Sequence, residues 1–134
     1  MARLVHFLTQ AWTPPADPTT SFTGRTIVVT GANTGLGFEA ALKIYSLGAE
    51  CVVMGVRDIA KGEAAKVEME KRCTGIEGAG REDAVRRIEV WKCDMDDYSS
   101  ILLFVEKVNA LEKLDGVVLN AGIFGVSCKV GNYS

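Results

Sequence analysis

The chain has 134 residues, of which 24% are charged and 48% belong to the hydrophobic set, and its formal net charge is −2. That length suits one domain, the composition is too apolar for a disordered chain, and no long uncharged stretch is present to span a bilayer. The charge excludes a general basic field for nucleic acid or anionic membrane, so any anion site has to be local.

Residues 1–23 read as a leader. Met1 to Trp12 has one Arg and a short apolar cluster, without the apolar region of about 7–15 residues that marks a secretory signal, so no targeting segment is expected. Residues 9–23 hold all three prolines among small polar residues, a composition that neither continues a helix nor joins a sheet interior. The domain proper is expected over 24–124, where short β-branched runs alternate with longer helical periods, the pattern of βαβ units around a parallel sheet.

The first strand is expected at Thr26 to Thr30, an apolar run suited to burial on both faces. A glycine-rich turn follows, then a helix whose Phe38, Ala41, Leu42 and Tyr45 share one stripe and which Gly48 is placed to end in a left-handed conformation. Strand two is expected at Cys51 to Val56. Asp58 can cap a second helix running to about Cys73, with Ala60, Ala64 and Val67 on one face and a solvated face of Lys61, Glu63, Lys66, Glu68 and Glu70. Residues 74–86 carry three glycines and no steady period, as a surface connection would. Strand three is expected at Ile88 to Cys93. Asp96 or Asp97 can cap a third helix with a broad buried stripe of Ile101, Leu102, Phe104, Val105, Val108 and Leu111. Strand four is expected at Asp115 to Leu119, leaving a short divergent tail, 125–134, after the segment Asn120-Ala121-Gly122.

The cysteines Cys51, Cys73, Cys93 and Cys128 contain no C-x-x-C pair, and His6 is the sole imidazole, so no metal site is expected. Cys51 and Cys93 fall in apolar runs, where a free thiol acts as a small buried hydrophobe. A reducing, cytoplasmic setting fits them. Trp91 on strand three is expected to pack rather than react.

The chemistry concentrates in Thr30-Gly31-Ala32-Asn33-Thr34-Gly35-Leu36-Gly37, between an apolar strand and an amphipathic helix. At such a junction each missing Cβ lets the backbone turn sharply or approach a pyrophosphate, and the free N–H groups at the helix start point at the anion. The spacing T-G-x-x-x-G-x-G differs from G-x-G-x-x-G and resembles the cofactor loop of the short-chain dehydrogenase/reductase family. Over roughly 24–124 the chain is most similar to retinol-dehydrogenase-like and fungal secondary-metabolism members, through F-T-G-R-T-I-V-V-T-G-A-N-T-G-L-G-F-E-A-A and V-R-D-x-x-K-G.

That resemblance implies a single α/β domain with a partial Rossmann-type, doubly wound parallel sheet in strand order 3-2-1-4. It implies NADP (NADPH) as cofactor. The family's NAD-selecting carboxylate ends strand two, but Val56 stands there, and Arg57 after it offers a fork suited to a 2′-phosphate. A pairing of Arg57 with Asp58 or Glu63 is the alternative, and Lys61 is a possible assistant. Asp94 and Met95 resemble the family's adenine-recognising pair, with an early helix cap as the alternative for Asp94. Asn120, Ala121 and Gly122 resemble the segment that approaches the ribose, Asn120 chiefly as a sheet support. The expected cofactor residues are therefore Gly31, Asn33, Thr34, Gly35, Leu36, Gly37, Arg57, Asp94, Met95, Asn120, Ala121 and Gly122.

The family transfers hydride with Ser, Tyr and Lys, the last two spaced Y-x-x-x-K. Here Tyr45 is followed four places on by Ala49 and Tyr98 by Leu102, Tyr133 has only Ser134 after it, and Lys129 precedes Tyr133 in the reverse order. No catalytic residue is therefore assigned, and the chain reads as a truncated, pseudoenzyme-like member: an oxidoreductase by resemblance, without autonomous turnover. Its expected partners are a nicotinamide dinucleotide, a small-molecule substrate, and a homodimer mate or other protein covering Val117, Val118 and Leu119 on an exposed sheet edge. The alternative from another class is a non-redox role, as a cyclase or isomerase in secondary metabolism or as the binding partner of a complete enzyme.

Overall fold

A computed structural model of the chain describes residues 16–74 and 86–122. Positions 1–15 of the expected leader, most of the expected connection at 74–86 and the expected tail lie outside the described residues. Seven elements follow in order: β1 (Thr26–Thr30), α1 (Gly35–Ser46), β2 (Cys51–Val56), α2 (Ile59–Cys73), β3 (Arg87–Lys92), α3 (Tyr98–Asn109) and β4 (Gly116–Val118). The four strands form one sheet in the order β3-β2-β1-β4, with all three pairings parallel. The α/β class, the partial Rossmann arrangement and the expected order 3-2-1-4 are thus found.

Every residue of β1 and β2 is buried, because both strands are central and helices cover both sheet faces. Ile27, Val29, Val52, Met54 and Val56 face one layer with Phe38, Ala41, Ala65 and Met69 from α1 and α2. Val28, Cys51 and Val53 face the other, with Cys93 and Phe104 from beyond β3 and from α3. The strict alternation follows from the two-residue period of a strand. Each valine so enclosed contributes on the order of 1.5–3 kcal/mol relative to an exposed one. Trp91 packs as expected, edge-on to Phe104 at 6.2 Å between centroids, with its indole N–H donating to Glu89 at 3.0 Å.

Several expected boundaries and faces move. β3 begins one residue early because the Arg87 N–H donates to the Glu50 carbonyl at 2.9 Å, and it ends at Lys92, although the Cys93 N–H still reaches the Val56 carbonyl at 2.8 Å. β4 is shorter than Asp115 to Leu119. Asp115 spends its N–H on the Thr26 carbonyl at 2.9 Å and its carboxylate on the Thr26 N–H at 2.8 Å, anchoring the strand's entrance.

In α2 the buried residues are Gly62, Ala65 and Met69, not Ala60, Ala64 and Val67. The cause is Gly62: a Cβ there would lie 2.5 Å from Val90 Cγ1 and 2.7 Å from Val56 Cγ2, so its absence brings this face of the helix onto the strands. In α3, Ser100 and Phe104 are buried and Ile101 and Val108 partly so, as is Leu111 just beyond its end. Leu102 and Val105 are exposed, because the described part of this layer holds one helix and nothing among those residues covers its outer side.

The turns obey the expected chemistry. Gly48 takes φ +97° after α1, Asp58 accepts from the Lys61 N–H at 3.2 Å, and Asp97, one of the two candidates, caps α3 through the Ser99 N–H at 3.0 Å. Upstream of β1, Phe22 packs on the core and Thr23 forms an isolated antiparallel bridge with Ala49, tying the segment before β1 to the loop before β2.

Candidate functional site

The glycine-rich turn joins β1 to α1 at the carboxyl end of the sheet. Gly31 adopts φ +67° and Gly35 φ +59°, backbone states that only glycine takes readily. A Cβ on Gly31 would lie 2.9 Å from the Ala121 Cα, and one on Gly37 would lie 2.2 Å from the Gly31 carbonyl oxygen and 2.5 Å from the Asn120 amide nitrogen. At Gly35, by contrast, a Cβ would meet open space. The turn is therefore pressed against the β4 exit at both ends and open in the middle. Thr34 occupies the cap position of α1 without a side-chain cap hydrogen bond, so the first-turn amides, which have no carbonyl partner within a helix, are not closed off by their own cap residue.

The exits of β1 and β4 are sewn together. The Thr30 hydroxyl oxygen accepts from the backbone N–H groups of Asn120 and Ala121, each at 3.1 Å, and the Asn120 side-chain amide donates to the Gly31 carbonyl at 3.4 Å. On the other side the Gly31 N–H donates to the Gly55 carbonyl at 2.8 Å, tying the turn to β2.

Beyond the strand ends lies an open cavity of about 390 Å³. It gathers Gly31, Asn33 and Thr34 from the turn, Arg57 from the end of β2, Asp94 and Met95 from the end of β3, and Asn120, Ala121 and Gly122 from the exit of β4. A crevice at the carboxyl ends of parallel strands, where the strand order reverses between β1 with β2 on one side and β4 on the other, is where open α/β sheets take ligands. Three expected residues do not line it: Gly35 sits beside it in the turn, Leu36 projects into solvent, and Gly37 is buried beneath against Gly31. Gly55, Asp58, Cys93 and Asp96, not expected at a site from the sequence, also form this wall, as does Lys61, expected only as an assistant. Asp58 and Lys61 had a signal, since the V-R-D-x-x-K run puts both in the first turn after β2. Asp96 had none, because it meets the site from a different loop.

Charge in the wall is mixed. Arg57 Nη1 lies 3.7 Å from Asp96 Oδ2, with both side chains about two-thirds exposed, at 66% and 64%. This is neither Asp58 nor Glu63: the Asp58 carboxylate is occupied in capping α2. The Asp94 carboxylate accepts the Asp96 N–H at 3.1 Å and stands 3.9 Å from Lys92 Nζ, while its own N–H donates to the Ser100 hydroxyl at 3.0 Å. Asp94 thus builds the turn before α3, and the cap itself falls to Asp97. Burial, with a smaller push from the Asp94 carboxylate, raises the Cys93 thiol above its ordinary range, so it lines the wall as a neutral group.

A model of the short chain dehydrogenase family matches residues 25–133. The chain belongs to the short-chain dehydrogenase family. It is 45% identical over 111 residues to the short-chain dehydrogenase/reductase ffsI of Aspergillus flavipes, a match covering 82% of this chain and 30% of that protein. Among solved structures it is similar to a short-chain type dehydrogenase/reductase from Mycobacterium ulcerans, at 28% identity and a TM-score of 0.61 over 77% of this chain and 34% of the other. A short-chain dehydrogenase from Sphingobium yanoikuyae in complex with NADPH shares the fold, at 17% identity and a TM-score of 0.59 over 74% and 34% of the two chains. This short-chain dehydrogenase chain therefore spans about a third of the length of the relatives it matches. Among its described residues no group of His, Cys, Asp and Glu could hold a metal ion, and no helix is long and apolar enough to cross a membrane.

Proposed function

We propose that this chain forms the NADP(H)-binding part of a short-chain dehydrogenase/reductase of the carbonyl and alcohol oxidoreductase lineage. The observation that carries the reading is the position of Arg57: it follows Val56 at the end of β2 and lines the same cavity as the glycine-rich turn. A guanidinium there suits a phosphate through paired, charge-assisted hydrogen bonds, whereas a carboxylate would suit ribose hydroxyls.

The fit of the rest supports a dinucleotide. The open space above Gly35 and the uncapped start of α1 suit a diphosphate, which gains from bare amides and the positive end of the helix. The ledge at Asp94 and Met95 would take the adenine edge. The close-packed Asn120-Ala121-Gly122 segment, held by Thr30, would bring backbone near the ribose. A bound nicotinamide would supply or accept hydride; these residues bind and orient it. Since no tyrosine in the sequence is followed four places on by lysine, binding without turnover is expected of these 134 residues alone.

Fluorescence titration with NADPH and with NADH tests the reading. Tighter binding of NADPH, lost as a preference in Arg57→Ala, is the expected result. An unchanged preference in that variant would remove Arg57 from the phosphate site. Absorbance of the reduced nicotinamide with a panel of aldehydes and ketones checks turnover, and steady oxidation by the purified chain would contradict binding alone.

A further inference from the structure

The Arg57–Asp96 contact joins two loops that have no sequence proximity, and both side chains stand in the cavity wall. We propose that Asp96 is a specificity-determining residue, a resident counter-ion that holds the Arg57 guanidinium and weakens the site's preference for the phosphorylated dinucleotide. The proposal rests on reading the cavity as a nicotinamide dinucleotide site.

The carboxylates of the wall are not equivalent. Asp58 is turned to the Lys61 N–H and Asp94 to the Asp96 N–H, both acting as backbone caps. Asp96 instead directs its Oδ2 to Arg57 at 3.7 Å, a long and well-hydrated pair of the kind that contributes little to stability. Its backbone is fixed independently, through the Asp94 carboxylate at 3.1 Å and the Asp97 N–H to the Asp94 carbonyl at 3.2 Å. Arg57 is likewise fixed at its carbonyl, which accepts from Lys92 Nζ, so the guanidinium is the part free to reorient.

A phosphate on the ribose has to win the guanidinium from Asp96 and then lie beside the carboxylate left behind. Like charges within a few ångströms repel, and although water and salt weaken that repulsion at an exposed site they do not abolish it at such short range. A dinucleotide with plain ribose hydroxyls brings no second anion to that corner. Asp96 therefore acts against one ligand and hardly against the other, which is how a repulsive element sets specificity.

The test compares NADPH and NADH dissociation constants for the full chain, Asp96→Asn, Asp96→Ala, and each combined with Arg57→Ala, with circular dichroism confirming the fold. Both Asp96 variants should raise the NADPH-over-NADH ratio by roughly three- to tenfold, the upper figure being about 1.4 kcal/mol. The gain should shrink in the Arg57→Ala background and at high salt. If both dinucleotides bind and the ratio does not move in either variant, Asp96 is a bystander and this proposal alone falls. If the folded parent chain binds neither dinucleotide, the cofactor reading falls and takes the proposal with it.

Discussion

The Thr30 hydroxyl accepts the backbone N–H of Asn120 at 3.1 Å, joining the exit of the first strand to the exit of the last across 90 positions of chain. It also accepts the Ala121 N–H at 3.1 Å, so one buried oxygen binds two successive amides at the exit of β4. Thr30→Val keeps the shape and removes that oxygen. The variant should lose about 1–3 kcal/mol of stability, the usual cost of leaving a partly buried donor unmatched, here the Ala121 N–H, since the Asn120 N–H also reaches the Val118 carbonyl at 3.1 Å. Urea unfolding checks it, and Thr30→Ser, which retains the hydroxyl, should lose less.

Two glycines separate packing from binding. Gly37→Ala would put a methyl 2.2 Å from the Gly31 carbonyl oxygen, and Gly62→Ala would put one 2.5 Å from Val90 Cγ1. Both should destabilise, by about 1–3 kcal/mol for overpacking. Only the first deforms the turn beneath the cavity. At a temperature where both variants are folded, dinucleotide affinity should fall in Gly37→Ala and hold in Gly62→Ala; equal losses would mean that the turn is not the binding element.

The thiols predict a loss of stability in alkali. Burial raises Cys51 and Cys93 above the ordinary thiol value of 9.0, with Arg87 partly opposing it at Cys51, and burial likewise raises Tyr45 above 10.0 against the pull of Arg86. In the unfolded chain these groups ionise first. Their contribution is therefore complete below the unfolded values and is lost as pH rises through the higher folded ones. Urea midpoints should fall as pH rises above the unfolded thiol value of 9.0, and Cys51→Ala should flatten that fall. A flat profile in the parent chain would show that these groups titrate alike in both states.

The edge of β4 leads to a prediction about association. Leu119 is 81% exposed and Val117 47%, whereas Val118, expected to share that exposure, packs partly against the α1 and α2 layer. We propose that the edge draws a second copy of the chain onto Val117 and Leu119. Light scattering at micromolar concentration should report more than a monomer, reduced by Leu119→Lys; a monomeric parent chain would contradict the proposal.

Much of this architecture is legible in the sequence. β1 and β2 are short β-branched runs bounded by glycine and charge, and in a parallel sheet such runs have few alternatives. The turn from Thr30 to Gly37 is legible for the same local reason: its glycines are required by φ and by contact distances that any such junction imposes. The buried face of α2 is not, because Gly62 and Ala65 carry almost no hydrophobic weight and matter only through how closely they let the helix approach Val56 and Val90. The Arg57–Asp96 contact is illegible for a different reason. Nothing local to either residue announces a partner on another loop, so the nearer Asp58 and Glu63 are the natural candidates until the fold brings β2 and β3 side by side. The stripe of α3 is visible as an apolar period, but exposure at Leu102 and Val105 depends on what else lies against it.

The most direct measurement is an amide-resolved NMR titration of the chain with NADPH and, separately, with NADH, since both carry the same diphosphate. Backbone amides of Thr34, Gly35, Leu36 and Gly37 should shift with either ligand, and the Arg57 signals chiefly with NADPH. A folded chain whose turn amides stay still at saturating concentrations of both would contradict the site at the start of α1.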